Sequence, residues 1–449
     1  MRLSLFIRVR SGRSALISSV SRRLPPGKYL FAVLLTLALA ARFCEPLLAA
    51  QTITLTIAGF SYQAPENLSR EGLNEFTRDT GIRVEFVPSW GNSTDQLGLI
   101  LQTLNRHFGT PDVYLIDVIW PGTVHQHLLD LTPYLDRDVP AHLAELLRND
   151  TVNSRIVSLP FYLNAGMLYY RADLLSKYGY RRPPATWDEL EKMAARIQRG
   201  ERAAGHSSFW GYVFQGASYE GLTCNALEWQ VAFGGGRILK PGGVIDINDP
   251  QTASAFRKAA AWVGSISPPS VLSYNESDSL NVFRSGNAAF LRYWSSGYRS
   301  NRAPGSAVRD RFDVTLLPAG PHGRAQTIGG FQLAVSRYSA HPREAAKLVE
   351  YLTSSKFQKA RAVQEGYLPT ISQLYSDAEI IRAVPEVRVL RNAEQETLIV
   401  RPSSIAAEKY STVSKDYYEA VHHILSGQAS PEKALDEFKK ELSALGLKR

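Results

Sequence analysis

After residue 52 the chain alternates short apolar runs with amphipathic stretches. Residues 53–58, 82–87 and 112–116 are apolar runs of strand length, and the segments between them repeat apolar positions at helical spacing. The clearest repeat is Leu97, Ile100, Leu101 and Leu104, with Ser93 or Thr94 placed to cap its start. Three strands joined by two helices form a βαβαβ unit, and right-handed crossovers make its sheet parallel. Solutes collect beyond the carboxyl ends of such strands. Here those ends are the loops at 60–66, 89–94 and 117–120.

The same reading continues to the far end. Residues 155–161 and 165–171 read as two consecutive extended segments, and a new lobe begins near Pro160. A capping box from Thr186 to Glu189 opens a helix whose apolar face is Leu190, Met193, Ala194 and Ile197. Further helices start at Asp249-Pro250 and near Glu276, before strands at 288–291, 312–316 and 331–335. Ala345, Leu348, Val349 and Leu352 mark another helix. The tail at 405–445 reads as two helices, the last opening at Ser430-Pro431 and ending at Gly446. The class expected is α/β, in two lobes.

Charge changes this picture less than its total suggests. The chain carries a formal +9, but residues 1–50 hold eight basic residues against Glu45 alone, so about +2 remains for the rest. No Lys/Arg run follows residue 50, which leaves no electrostatic footprint for a nucleic acid. The basic head precedes an apolar run at 29–41 and the small-residue stretch Leu47-Leu48-Ala49-Ala50. That is the pattern of a secretory signal peptide cleaved before Gln51, too short for the roughly 20 residues of a spanning helix. Export to the periplasm or cell exterior is expected. Arg22-Arg23 resembles a twin-arginine signal spoiled by Pro25 and Pro26, and Arg42-Phe43 before Cys44 makes a poor lipid-anchor site.

With 44% hydrophobic and 21% charged residues the chain has material for large cores, excluding a disordered or collagenous protein. Cys224 is the only cysteine after residue 50, so no disulfide is expected within that part, and its apolar, helix-like setting reads as a small buried side chain.

Eight stretches, in order along nearly all of the chain after residue 50, carry a resemblance. They are 110–120 (TPDVYLIDVIW), 159–171 (LPFYLNAGMLYYR), 182–190 (RPPATWDEL), 209–216 (FWGYVFQG), 219–222 (YEGL), 286–290 (GNAAF), 327–330 (TIGG) and 430–435 (SPEKAL). Together they resemble the solute-binding proteins of bacterial and archaeal ABC sugar importers, most of all the trehalose/maltose-binding branch. The resemblance implies a type II periplasmic-binding-protein fold, each lobe a mainly parallel sheet flanked by helices. It places one lobe at 51–161 with 322–372 and the other at 162–321 with 373–449, joined by three hinge crossings. It also implies a disaccharide held in the cleft by lobe closure, trehalose first and then maltose or sucrose. The closed form is delivered to the transmembrane subunits of an ABC permease. A monomer without cofactor, metal or catalysis is expected.

A neutral sugar offers paired hydroxyls and an apolar ring face, so its site needs carboxylates, amides or Arg together with an aromatic plate. Asp117 ends a buried strand, as a helix cap or a solute contact. Glu66 follows the first strand's loop and reads equally as a first-turn acid, while Ser93 belongs to the second loop. Tyr162 and Tyr219 line the cleft or the core. Asn164 stands where the resembled proteins place an acid, and an amide still both donates and accepts. Trp294 aligns with the tryptophan that stacks on a pyranose. At Gly329-Gly330 the next residue is Phe331 where those proteins carry Trp. Arg401, beside Pro402, aligns with an arginine that hydrogen-bonds the sugar, an interlobe salt bridge being the alternative.

Other classes are weaker. An exported glycoside hydrolase would cast Asp117 with Glu66 or Glu220 as acid and nucleophile, but no hydrolase elbow, zinc-protease motif, dinucleotide fingerprint or P-loop occurs. His125, His127, His422 and His423 read as solvated side chains, not metal ligands. A binding protein for iron or a polyamine is the closer rival.

Overall fold

The computed structural model describes residues 52–61, 68–89, 93–135, 142–247, 249–391 and 398–448. The expected leader at 1–50, with Cys44, and Glu66 lie outside the described residues. Among those described, no helix is long and apolar enough to cross a membrane.

In chain order the elements that frame the site are β1 (Thr54–Ser61), α1 (Leu68–Thr80), β2 (Arg83–Ser89), α2 (Ser93–Asn105), β3 (Val113–Asp117), β4 (Leu159–Arg171), α3 (Trp187–Ala203), β5 (Trp210–Val213), α4 (Glu220–Ala232) and α5 (Asp249–Trp262). They continue with α6 (Glu276–Arg284), β6 (Ala288–Trp294), β7 (Phe312–Leu316), β8 (Gln326–Val335), α7 (Pro342–Thr353), β9 (Leu398–Ile399), α8 (Tyr410–Leu425) and α9 (Pro431–Ala444).

The opening βαβαβ unit forms as the apolar spacing predicts, with β1 parallel to both β2 and β3. All five residues of β3 are buried, the signature of a strand covered on both faces. One sheet then runs on in the order β2-β1-β3-β8-β4-β6-β5, with β7 also on β4 and β9 also on β8. The expectation of mainly parallel sheets holds for β1–β2, β1–β3, β6–β5 and β8–β9. It gives way at the centre, where β8 runs antiparallel to β3 and β4, and β4 antiparallel to β6 and β7.

β4 also corrects the sequence reading. It is one strand of 13 residues rather than two segments, while Arg155 and Ile156 form a separate two-strand ribbon with Thr151 and Val152. The gap between the two expected segments, 162–164, is continuous strand paired with β8, and Gly166 just beyond it has a packing role. A Cβ on Gly166 would lie 2.1 Å from Glu228 Oε1 and 2.7 Å from Arg292 Nη2, so only glycine lets that buried ion pair approach the strand.

Two hydrophobic clusters hold the layers together. Leu55, Ile57, Val113, Leu115, Leu159, Leu333 and Val335 from the sheet pack on Leu73 and Phe76 of α1 and Leu348, Val349 and Leu352 of α7. Each such side chain contributes about 1.5–3 kcal/mol when fully buried. The larger cluster centres on aromatics, where Trp262 lies 5.4 Å from Trp187, 5.6 Å from Tyr212 and 5.7 Å from Trp229. These tryptophans are core, as is Trp120.

Caps follow the sequence in part. Ser430 accepts from the Lys433 amide at the start of α9, and Thr186 accepts from the Glu189 amide at 3.2 Å. The expected box at Thr186 is half made, because the Glu189 carboxylate binds Arg182 and the Ala185 amide instead. His127 is a further correction. It is buried, with Nδ1 2.8 Å from the Tyr338 hydroxyl, because residues 125–127 turn inward beneath residue 338. His423 is exposed as expected, and His422 is half-buried against the Leu272 carbonyl.

Candidate functional site

Strand register builds the site. Phe331 of β8 pairs with Asp117 of β3 on one side and Tyr162 of β4 on the other. Gly329 stands opposite Asn164, and Trp294, the last residue of β6, stands opposite Gly166. The carboxyl end of β3, the middle of β4 and the end of β6 thus converge on the Gly329-Gly330 bend of β8. A cavity of about 220 Å³ opens there against the first turn of α4.

Asp117, Asn164, Tyr219, Trp294, Gly330, Phe331 and Arg401 all line this cavity, so residues far apart in sequence meet as expected. Tyr162 does not. Its ring packs against Phe331 at 5.5 Å and Tyr367 at 4.5 Å between centroids. Ser93 is the first residue of α2, and its side chain lies outside the described residues, as does all of Glu66.

Arg401 makes ion pairs, of which, by the expected lobe bounds, the Glu220 pair lies within one lobe and only the Asp117 contact runs between lobes. Its Nη1 donates to Glu220 Oε1 at 2.7 Å, Nη2 donates to the Ile328 carbonyl at 3.4 Å, and Nη2 lies 3.6 Å from Asp117 Oδ1. Burial lowers the Arg401 pKa, but the acidic groups of Cys224, Tyr410, Glu220 and Asp117 more than offset it, leaving the guanidinium above its ordinary range. Glu220 is saturated, since Tyr410 donates to Oε1 at 2.6 Å and Ser414 to Oε2 at 2.5 Å. Asp117 accepts from the Ile119 amide at 3.2 Å, which orients its carboxylate at the strand's end.

Asn164 uses its amide oxygen within the fold, accepting from the Ser295 hydroxyl at 3.2 Å and the Ser296 amide at 3.3 Å. Trp294 is half-buried. The Arg292 guanidinium lies 4.3 Å from its ring centroid, and that arginine is fully buried in a fork with Glu228. Gly330 has φ +121°, and a Cβ there would lie 2.2 Å from the Tyr162 carbonyl. The bend that admits Phe331 to the cavity therefore requires glycine.

Sequence reasoning missed Glu276 and Cys224 as lining residues, and named Glu220 only for the hydrolase alternative. The carboxylate of Glu276 accepts from the Tyr219 hydroxyl at 2.5 Å and from Trp294 Nε1 at 3.3 Å. Its only sequence signal was a place in the first turn of α6, where an acid is expected for the helix dipole alone. Burial, then Glu276, pushes the Tyr219 phenol up, so Tyr219 stays a donor. The Cys224 thiol is pushed up to about 12, chiefly by burial, and is no nucleophile. Among the described residues no group of His, Cys, Asp and Glu has the arrangement of a metal site.

Fold and cleft together define a two-lobe solute binder, and comparison with known proteins agrees. The chain belongs to the bacterial extracellular solute-binding protein family, whose model matches residues 62–359. It is 41% identical over 398 residues to a probable ABC transporter-binding protein of Deinococcus radiodurans, covering 88% of this chain and 94% of that one. Maltose-bound MalE3 of T. maritima is similar in structure, with TM-score 0.80 and 32% identity over 88% of this chain and 100% of that one. An ABC transporter solute-binding protein from Thermotoga lettingae, bound with α-D-tagatose, shares the fold at TM-score 0.76 and 21% identity, covering 88% and 99%. The fold is the type II periplasmic-binding-protein fold. The family binds solutes for ABC transporters without transforming them, which removes the glycoside hydrolase reading.

Proposed function

We propose that this protein captures an α-linked disaccharide, trehalose first and then maltose or sucrose, and delivers it to the transmembrane subunits of an ABC permease. The observation that carries the reading is the meeting of two aromatic faces, Trp294 and Phe331, with Asp117, Asn164, Glu276 and Arg401 around one cavity. Flat apolar faces beside fixed hydrogen-bonding groups match a pyranose, whose ring faces and hydroxyl rim need those two environments. The similarity to a maltose-bound protein supports the same solute class. Glu66 and Ser93 complete the site from the loops after β1 and β2, and Tyr162 backs Phe331.

In this reading residues 51–161 with 322–372 form one lobe and 162–321 with 373–449 the other, and solute contacts on both favour the closed state. The protein works as a monomer after export and removal of residues 1–50. Asn164 and Phe331, where the resembled proteins carry an acid and a tryptophan, set the preference among disaccharides.

Equilibrium dialysis against labelled trehalose, maltose and sucrose tests the proposal. One equivalent of a disaccharide should be retained and recovered intact by mass spectrometry. Retention of none of them, or recovery as monosaccharides, contradicts it.

A further inference from the structure

The cavity is acidic. Among its described lining residues are three carboxylates, Asp117, Glu220 and Glu276, and one guanidinium, Arg401. That guanidinium is committed to Glu220 and the Ile328 carbonyl and lies beside Asp117. Arg292, a cation close to the cavity among the described residues, is fully buried behind Trp294 and forked onto Glu228, with Nη1 donating to Gln215 at 3.1 Å. No basic side chain of the described lining is left to receive an anionic solute.

Glu276 differs from the other two carboxylates. Glu220 is saturated by Arg401, Tyr410 and Ser414, and Asp117 lies beside Arg401. Glu276 accepts hydrogen bonds from two neutral groups, the Tyr219 hydroxyl and the Trp294 indole N–H. Its negative charge is therefore balanced by no neighbouring cation in those contacts, and it sits half-exposed at the edge of the stacking plate. A solute lying on Trp294 lies in its field. In a cleft of lowered dielectric such a charge acts strongly on a second charge.

We propose that Glu276 sets the charge selectivity of the cleft, which takes uncharged and amine-bearing sugars and rejects sugars carrying a carboxylate or phosphate. The inference rests on the disaccharide reading above and names its substrate class more closely. Rejection comes from the repulsion of like charges, while neutral hydroxyls still find acceptors on the carboxylates.

A matched series isolates charge from shape: trehalose, its 6-amino-6-deoxy derivative, and the derivative in which one 6-carbon is a carboxylate. Affinities for the full chain and for Glu276→Gln are measured by isothermal titration at low salt. Wild type should bind the amine at least as tightly as trehalose and the carboxylate about 100-fold more weakly. In Glu276→Gln the gap between amine and carboxylate should shrink about tenfold or more. A role confined to holding Trp294 would lower all three affinities together and leave the gap unchanged, which would overturn the inference. So would a wild type that binds carboxylate and amine alike. If trehalose and its derivatives all fail to bind wild type, the disaccharide reading fails and this inference with it. If trehalose binds without charge discrimination, only the inference fails.

Discussion

The guanidinium carbon of Arg292 lies 4.3 Å from the ring centroid of Trp294, and Glu276 accepts the indole N–H of the same side chain at 3.3 Å. The plate at the cleft is thus held by a buried cation beneath its face and a carboxylate on its edge. Trp294→Ala should lower disaccharide affinity by about 100-fold or more while the chain still folds, since a cation–π contact contributes only about 0.5–2 kcal/mol. Trp294→Phe, which keeps a ring and loses the N–H, should fall between. Isothermal titration with circular dichroism of both variants checks this. Unchanged affinity in Trp294→Ala means that the solute sits elsewhere.

Arg401 and Glu220 are a buried pair on which two more donors depend. Removing one partner leaves an uncompensated charge, so Arg401→Met should destabilise the protein by about 3–5 kcal/mol. Urea unfolding should show the midpoint moving with little change in slope. Loss of binding without loss of stability would place Arg401 in the site but not in the scaffold.

Gly330 carries the bend at φ +121°. Gly330→Ala should cost stability and binding together, because its Cβ meets the backbone carbonyl of Tyr162 at 2.2 Å and cannot be relieved by a side-chain rotation. Thermal unfolding and titration of one sample give both readouts. A variant as stable as wild type would show that the bend tolerates a side chain.

Glu386, in the helix Pro385–Arg391, is buried, and its Oε2 has no hydrogen-bond partner among the described residues. Burial, with Asp313 adding to it, pushes its carboxyl up to about 8, against about 4.3 in an unfolded chain. Between those values the native state keeps a proton that the unfolded state releases. Its contribution is therefore complete below about pH 4 and lost as pH rises to about 8, on the order of 5 kcal/mol in all. Relative to Glu386→Gln, wild type should lose stability from pH 5 to 8 in denaturant titrations. Parallel pH profiles for the two proteins would contradict this.

Much of the scaffold was legible because its signals are local. The repeat at Leu97, Ile100, Leu101 and Leu104 and the apolar run ending at Asp117 depend only on the period of burial. β4 reads as two segments with a gap at 162–164, but the structure carries one strand through it, because Tyr162, Leu163 and Asn164 pair there with Phe331, Gly330 and Gly329 of β8, distant in sequence. Asp117, Asn164, Tyr219, Trp294 and Arg401 were found as cavity-lining residues because the chemistry of a sugar and the resemblance point to the same positions. Glu276 was missed because its contacts with Tyr219 and Trp294 are made by the fold, whereas its helix position alone accounts for an acid.

The central claim is that the cleft binds an α-linked disaccharide, and a thermal-shift panel tests it most directly. The full chain would be heated with trehalose, maltose, sucrose, glucose, a polyamine or ferric citrate. A solute that binds only the folded state, at about 100 times its dissociation constant, adds about 2.7 kcal/mol of stability and moves the midpoint by a few degrees. The account predicts a shift with one of the three disaccharides and none with the polyamine or ferric citrate. A shift with only a non-sugar, or with nothing in the panel, would contradict it.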